Sequence, residues 1–278
     1  MPRFVEEGKK LSADVQLSHF TDLSLRTGKD NKSTVVRAKG VDIKEFDLVF
    51  VRSVGKYHEE MTILADYCKT QGVKLLERAL QQGNVDRDHK SYEALRLLGA
   101  GLGYPKSYFS SPKKILSYLQ RENRWPIVIK DTGGKLGRAA YFVRDFEIAK
   151  EIFKGRVKKN YVVQEYIEND GEYRVWVIGG KILGAMHRPM RIGEFEMVGV
   201  VGKSKPVELD KDMKELALKA VEALDVDAAG IDMVRDKKSG KPYILEVNRA
   251  AVFGTFERIT GLNVVGAIMK WLVGQVKS

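Results

Sequence analysis

Five strand-length apolar runs crowd into residues 126–188: PIVIKD, AAYFVRD, NYVVQEYI, EYRVWVIGG and KILGAMHR. Short turns separate them, and one helical stretch, Phe146 to Gly155, lies between the second and third. Short turns join antiparallel neighbours, because a parallel crossover needs a dozen or more residues. The spacing therefore predicts an antiparallel meander. Two further runs, AAGIDMVRD and PYILEVN, read as a hairpin around the turn DKKSG. Amphipathic patterns predict helices at Lys211 to Leu224 and at Leu262 to Val276. The second of these turns Val265, Ile268 and Leu272 to the core.

Upstream the rhythm changes. Phe4 to Leu11 reads as a short helix, and VQLSHF, TVVRA, DLVFVRS and VKLLE read as strands. TGKDNKS reads as a turn, and Glu59 to Gln71 as a helix stopped by Gly72. Strands alternating with helices imply a parallel α/β sheet. Asp88 to Leu98 predicts a helix capped by Asp86 or Asp88. Pro112 to Arg121 predicts another, with Ser110 or Ser111 as cap and Pro112 near its first position. We divide the chain into a small α/β unit at 1–84, a linking α/β piece at 85–160 and a larger α+β unit at 161–278. The natural ligand cleft lies between the last two.

Composition bounds the partners. Hydrophobic residues make up 44% and charged residues 31%, enough for a packed core in 278 residues. No apolar run reaches the roughly 20 residues that span a bilayer. The opening MPRFVEEGKK lacks the apolar stretch of a signal peptide. A soluble, cytoplasmic protein without a membrane partner is expected. The net charge of +11 favours polyanionic or phosphorylated ligands. The lysines are spread along the chain, with no arginine-rich tract interleaved with aromatics, so nucleic acid is disfavoured as a partner. Cys68, alone in ILADYCKT, reads as a small buried hydrophobe, and the four histidines show no metal-ligand spacing.

Three segments bear chemistry. In GIDMVRDKKSGKPYILEVN, Glu246 and Asn248 are two apart and share a strand face, and the turn brings Asp232 near them. Two carboxylates and an amide are hard oxygen donors that suit Mg²⁺ or Mn²⁺. A hairpin with ordinary polar residues on its wet face is the alternative. In PIVIKDTGGKLGRAAYFV, Lys130 ends a strand, and Gly133, Gly134, Lys135 and Gly137 follow in a loop that can approach phosphate oxygens. A plain glycine hairpin is the alternative there, and the Walker spacing is absent. In the third segment Gln164 and Glu165 lead through Tyr166 and Ile167 to a turn. Glu172, Arg174 and Arg188 then lie on successive strands. Those arginines suit carboxylate or phosphate, or they make cross-strand salt bridges. Gly99, Gly101 and Gly103 follow a helix and read as its C-cap and loop.

Together and in this order, these segments resemble the ATP-grasp superfamily and, within it, the RimK-like amino-acid ligases. The resemblance spans roughly residues 41–275, through DLVFVRSVG, the lysine of RDHKSYEALRLL, PIVIK, QEYI, DGEYRVWVIGGKILGAMHR, GEF, AGIDMV, LEVN and FERITGLNV. It implies an ATP-grasp fold behind a small N-terminal α/β domain. The chain opens at what reads as that domain's first helix, without its first strand. The resemblance implies that Lys90 and Lys130 contact ATP phosphates under the 133–137 loop. Gln164, Glu165, Tyr166 and Ile167 would hold the adenine and Glu172 would lie near the ribose, with Met233 and Leu245 among the nucleotide contacts. Asp232, Glu246 and Asn248 would bind one or two Mg²⁺. Arg174 and Arg188 would face the acyl phosphate and substrate carboxylate, and Arg52 and Arg249 the substrate. The implied activity is amide formation between a carboxylate and an amine, small molecules or peptides and acidic by preference. A homo-oligomer, an inactive ATP-binding relative and a small-molecule kinase stay open as alternatives. Glu172 stands where aspartate is common, Glu196-Met197-Val198 where arginine, serine and asparagine are usual, and Arg249-Ala250-Ala251-Val252 where relatives read Ala-Ser-Pro-Gly. These departures leave one nucleotide contact and the choice of substrate open.

Overall fold

A computed structural model describes residues 2–27, 34–81, 90–132, 140–156, 160–192, 198–200 and 203–276. The 133–137 loop, the 193–197 segment, Asp86, Asp88 and most of TGKDNKS lie outside the described residues.

The chain opens with α1 (Pro2–Lys10), then β1 (Leu23–Thr27), β2 (Thr34–Ala38) and β3 (Val41–Asp42), which pair antiparallel in that order. β4 (Leu48–Phe50), α2 (His58–Gln71) and β5 (Lys74–Leu76) follow, with β4 and β5 parallel. Gly72 ends α2 at φ 72°, where a glycine is unstrained. Val36, Ile43, Met61, Leu64, Cys68 and Leu75 share one core beneath α2. Burial pushes the Cys68 thiol up to about 11, so it is an inert core group.

Two expectations fail in this region. VQLSHF is not a strand: Val15 and Leu17 pack against the C-terminal core, while His19 caps the tight turn at Phe20–Asp22. The His19 ring accepts from Thr21 N, and Asp22 accepts from His19 N. Local side-chain bonds have displaced a ladder there. The parallel α/β sheet shrinks to the single β4–α2–β5 unit, because TVVRA has antiparallel partners on both sides.

The middle comprises α3 (Lys90–Gly99), β6 (Ser107–Ser110), α4 (Pro112–Glu122), β7 (Ile127–Asp131), β8 (Ala140–Val143), α5 (Phe146–Phe153) and β9 (Tyr161–Glu165). Ser111 sits at the N-cap of α4, although its side chain makes no capping bond. Asp145 caps α5 through Ile148 N at 2.9 Å. These strands form a sheet ordered β6-β9-β7-β8, one face covered by α4 and α5 through Ile115, Leu119, Ala149 and Phe153.

The rest is β10 (Glu172–Ile178), β11 (Lys181–Arg188), β12 (Met190–Ile192), β13 (Val198–Val200), β14 (Lys205–Val207), α6 (Lys211–Ala223), β15 (Ala228–Arg235), β16 (Pro242–Asn248), α7 (Gly254–Thr260) and α8 (Val264–Val276). Its five-stranded sheet runs β14-β11-β10-β15-β16, all antiparallel. The expected single meander is thus split between two sheets, because α5 lets β9 return between β6 and β7. Alternation makes the second sheet two-sided. Val175 and Val177 join the core under α6, while Trp176 and Ile178 join the core under α8. Phe4 of α1 lies in that second core, so the first helix docks on the last one.

Two contacts tie this sheet to the preceding units. Gly103 O accepts from Ile244 N at 2.8 Å, and a Cβ on Gly103 would lie 2.5 Å from Pro242 O. Gly101 adopts φ 70°, so this glycine run is a helix end and a close approach, as its position after α3 implied. Glu77, just past β5, accepts from Asp227 N and Ala228 N at 2.8 and 3.1 Å and joins the N-terminal unit to β15. Burial pushes its carboxyl up to about 8. Among the described residues no single helix is long and apolar enough to cross a membrane.

Candidate active site

Period-two alternation places Glu172, Arg174, Arg188, Asp232 and Glu246 on one sheet face. Glu172 is opposite Arg188, Arg174 opposite Asp232, and Asp232 opposite Glu246. Asn248 is opposite Gly230. The β15–β16 register skips Leu245 at a bulge, so Asp232 and Glu246 stay paired while the hairpin turns. Two carboxylates and an amide therefore share one face at the end of the hairpin, as the spacing predicted.

The charges on this face are already paired. Arg174 donates through Nε and Nη2 to the two oxygens of Asp232, the latter at 2.8 Å. Arg188 Nη2 donates to Glu172 and, at 3.0 Å, to Asp232 Oδ1. Of the two readings open for these arginines, cross-strand ion pairing is the one present in the structure. Arg188 Nε has no hydrogen-bond partner among the described residues, so the guanidinium retains a donor for a ligand.

Two lysines of the 85–160 unit bear on this face. Lys90, at the start of α3, brings Nζ to 3.1 Å from Glu246 Oε1. Lys130, near the end of β7, is half-buried. Burial and the neighbouring Lys90 push it down to about 8, against the opposing pull of Glu246, Glu93 and Asp232.

Glu93 is a member of this group that the sequence reading missed. It is buried, its Oε2 accepts from Val247 N at 3.0 Å, and burial pushes its carboxyl up to about 7. It ties α3 to the edge strand that bears Glu246 and Asn248. The signal was present: Lys90, Glu93, Ala94 and Leu97 fall on one helical stripe, and a charge on a core-facing stripe needs a partner.

Other expected site residues lie elsewhere. Met233 is adjacent to Asp232 and so faces the opposite side of β15. It is fully buried in the core under α6, with no surface open to a nucleotide. Leu245, the bulged residue, is half-buried. Arg249 is buried, and its charge favours the ionised form of Glu77. Gln164 is buried and donates to Ser107 Oγ at 2.9 Å, which makes it a support for β9. Glu165 accepts from Lys106 N at 2.9 Å, and Tyr166 and Ile167 leave the strand half-buried beside Phe142. Arg52, just past β4, donates through Nη2 to Ala251 O at 3.1 Å.

The donor set fits a divalent cation in kind. Both carboxylates and the amide oxygen are hard ligands on one face. Asp232 accepts from two arginines and Glu246 pairs with Lys90, so a cation there would redirect these cations toward an anionic ligand. Among the described residues no three acidic, cysteine or histidine side chains converge. The third ligand must come from Asn248 or from the anion itself.

A four-stranded and a five-stranded sheet behind a βαβ N-terminal unit, with Lys90 of α3 set on the acidic hairpin, fit the ATP-grasp class. The sequence pattern of the RimK-like ATP-grasp domain family matches residues 88–272. The chain belongs to the RimK-like ATP-grasp family, and by class it is an ATP-grasp ligase. It is 28% identical over 254 residues to a probable alpha-L-glutamate ligase 2 of Shewanella denitrificans, covering 88% of this chain and 82% of that protein. Its fold is similar to that of the ATP-grasp ligase PsnB in complex with a minimal precursor, Mg and ADP. That likeness has a TM-score of 0.74 at 15% identity and covers 99% of this chain and 93% of the other. A RimK domain ATP-grasp protein of Sphaerobacter thermophilus superposes with a TM-score of 0.68 at 17% identity, over 98% of this chain and 94% of the other.

Proposed function

We propose that the protein joins a carboxylate to the amine of an amino acid at the expense of ATP, through an acyl phosphate. One observation supports this most: Lys90 of α3 lies 3.1 Å from Glu246 of the β15–β16 hairpin, while Lys130 of β7 feels the charge of both Glu246 and Asp232. Such a convergence suits a polyphosphate held between the sheets. In this reading the 1–84 unit presents substrate, and the 85–160 and 161–278 units hold nucleotide, with Glu165, Tyr166 and Ile167 at the adenine and Glu172 near the ribose.

The substrate carboxylate attacks the γ-phosphorus in line, the bond to the β,γ-bridging oxygen breaks, and ADP leaves. The amine then attacks the acyl carbon, the amine proton passes to phosphate or solvent, and inorganic phosphate departs as the amide forms. Lys90 and Lys130 neutralise charge on the transferring group, which is where most phosphoryl-transfer catalysis originates. Arg188, with its spare donor, and Arg174 stabilise the oxyanion formed at the acyl carbon. Mg²⁺ held by Asp232, Glu246 and Asn248 would supply charge neutralisation between phosphate oxygens.

Hydroxylamine trapping tests this. With ATP, Mg²⁺ and an acid substrate, the acyl phosphate should yield a hydroxamate alongside one ADP. ATP binding without ADP release from any carboxylate would favour an inactive relative. A stable phosphorylated product without hydroxamate would favour a kinase.

A further inference from the structure

An open pocket of about 300 Å³ lies between the segment after β4 and the loop after β16, lined by Arg52, Ser53, Ala250, Ala251, Val252 and Phe253. Its size is at the lower end for small-ligand sites, which suits an amino acid. Its chemistry is lopsided: one cation against a wall of methyl groups and a ring.

Arg52 is held in place. Nη2 donates to Ala251 O at 3.1 Å, and the guanidinium lies over the Phe253 and Phe4 rings at 5.2 and 5.8 Å. It forms no ion pair among the described residues. Its acidic neighbour Glu77 is occupied by Asp227 N and Ala228 N. A guanidinium has five N–H donors, and the bond to Ala251 O uses one of them, which leaves donors for one carboxylate at a half-buried group.

The rest of the lining is apolar and includes an unusual side chain. Val252 is 69% exposed, one of few large aliphatic groups left in solvent. The pocket also borders the proposed chemistry. A Cβ on Gly230 would lie 2.8 Å from Ala251 Cβ and 3.2 Å from Arg174 Cδ, and Arg174 grips Asp232.

We propose that this pocket selects the amine substrate, and that the substrate is an amino acid with an apolar side chain. Its α-carboxylate lies on Arg52, its side chain lies on Val252 and Phe253, and its amine points toward Arg174. Arg52 sets the anchor, and Val252 and Phe253 set the specificity. Glutamate is disfavoured because its second carboxylate would lose water against Val252 and Phe253 with no cation to meet it. The assignment of the pocket to the amine rests on the ligase reading. The preference for one carboxylate and an apolar body rests on the pocket alone.

The test is calorimetric binding of leucine and of glutamate to the full chain, saturated with Mg²⁺ and a non-hydrolysable ATP analogue. Leucine should bind at least about tenfold more tightly than glutamate. Arg52→Met should weaken leucine more than tenfold. Val252→Lys, at an exposed position that leaves the fold intact, should raise glutamate affinity at least tenfold and lower that of leucine. Glutamate binding as tightly as leucine, or no binding of either, overturns the proposal, as does a Val252→Lys variant with the wild-type ranking. Hydroxamate formation reads the ligase reaction separately. Leucine binding without hydroxamate from any acid would sink the ligase reading and keep the pocket. Hydroxamate formation with glutamate as the preferred amine would do the reverse.

Discussion

Lys130→Met should lower ADP release by about 10²–10³-fold, the usual cost of removing one donor aimed at developing charge. Methionine keeps the length and apolar stem of lysine, so the sheet face should survive, with Tm close to that of the wild type. The reaction should also report Lys130 through pH. Burial and Lys90 push the Lys130 ammonium down from 10.5 to about 8. It is charged below that value and neutral above it, so kcat/KM for ATP, which reads the free enzyme, should fall as pH rises through about 8. Lys130→Arg does not titrate in this range and should flatten the fall. Full turnover in Lys130→Met would place this lysine outside the phosphate site.

Asp232→Ala should produce the largest loss of stability. Asp232 is the shared acceptor for Arg174 and Arg188, and all three side chains are at most 19% exposed. Removing it leaves two half-buried guanidinium groups facing each other across β10 and β11, with only Glu172 between them. Breaking a buried pair in this way costs about 3–5 kcal/mol. Urea unfolding should show that loss. The double variant Asp232→Ala with Arg174→Ala should recover part of it, since one stranded charge is gone. An Asp232→Ala protein as stable as the wild type would mean that the cross-strand ion pairs contribute nothing, and that the aspartate serves a ligand alone.

Much of this site could be read from residue parity. Glu246 and Asn248 share a face because they are two apart, and the short DKKSG turn sets Asp232 against Glu246. The same parity turns Met233 into the core, because its neighbour Asp232 faces the other way, so its core position was legible too. Arg249 was not legible in this way. Its burial follows from contacts between segments far apart in sequence, such as the docking of Glu77 on the start of β15. VQLSHF failed because strand propensity is a preference for a pleated, half-buried surface, and the His19–Asp22 capping bonds supplied a local alternative. Glu93 marks the converse case. An acid on an apolar helical stripe needs a partner, and Glu93 finds one in the backbone of β16.

The reading turns on Asp232, Glu246 and Asn248, which would hold a divalent cation that neutralises phosphate charge. Mn²⁺ binding to the full chain, followed by electron paramagnetic resonance in the presence of ADP and paired with a Mg²⁺ titration of ADP release, tests it directly. The wild type should bind Mn²⁺ in the nucleotide complex and require Mg²⁺ for turnover. Glu246→Ala should weaken Mn²⁺ binding about 10–100-fold and lower turnover at every Mg²⁺ concentration. Wild-type Mn²⁺ binding and an unchanged Mg²⁺ titration in Glu246→Ala would contradict the assignment.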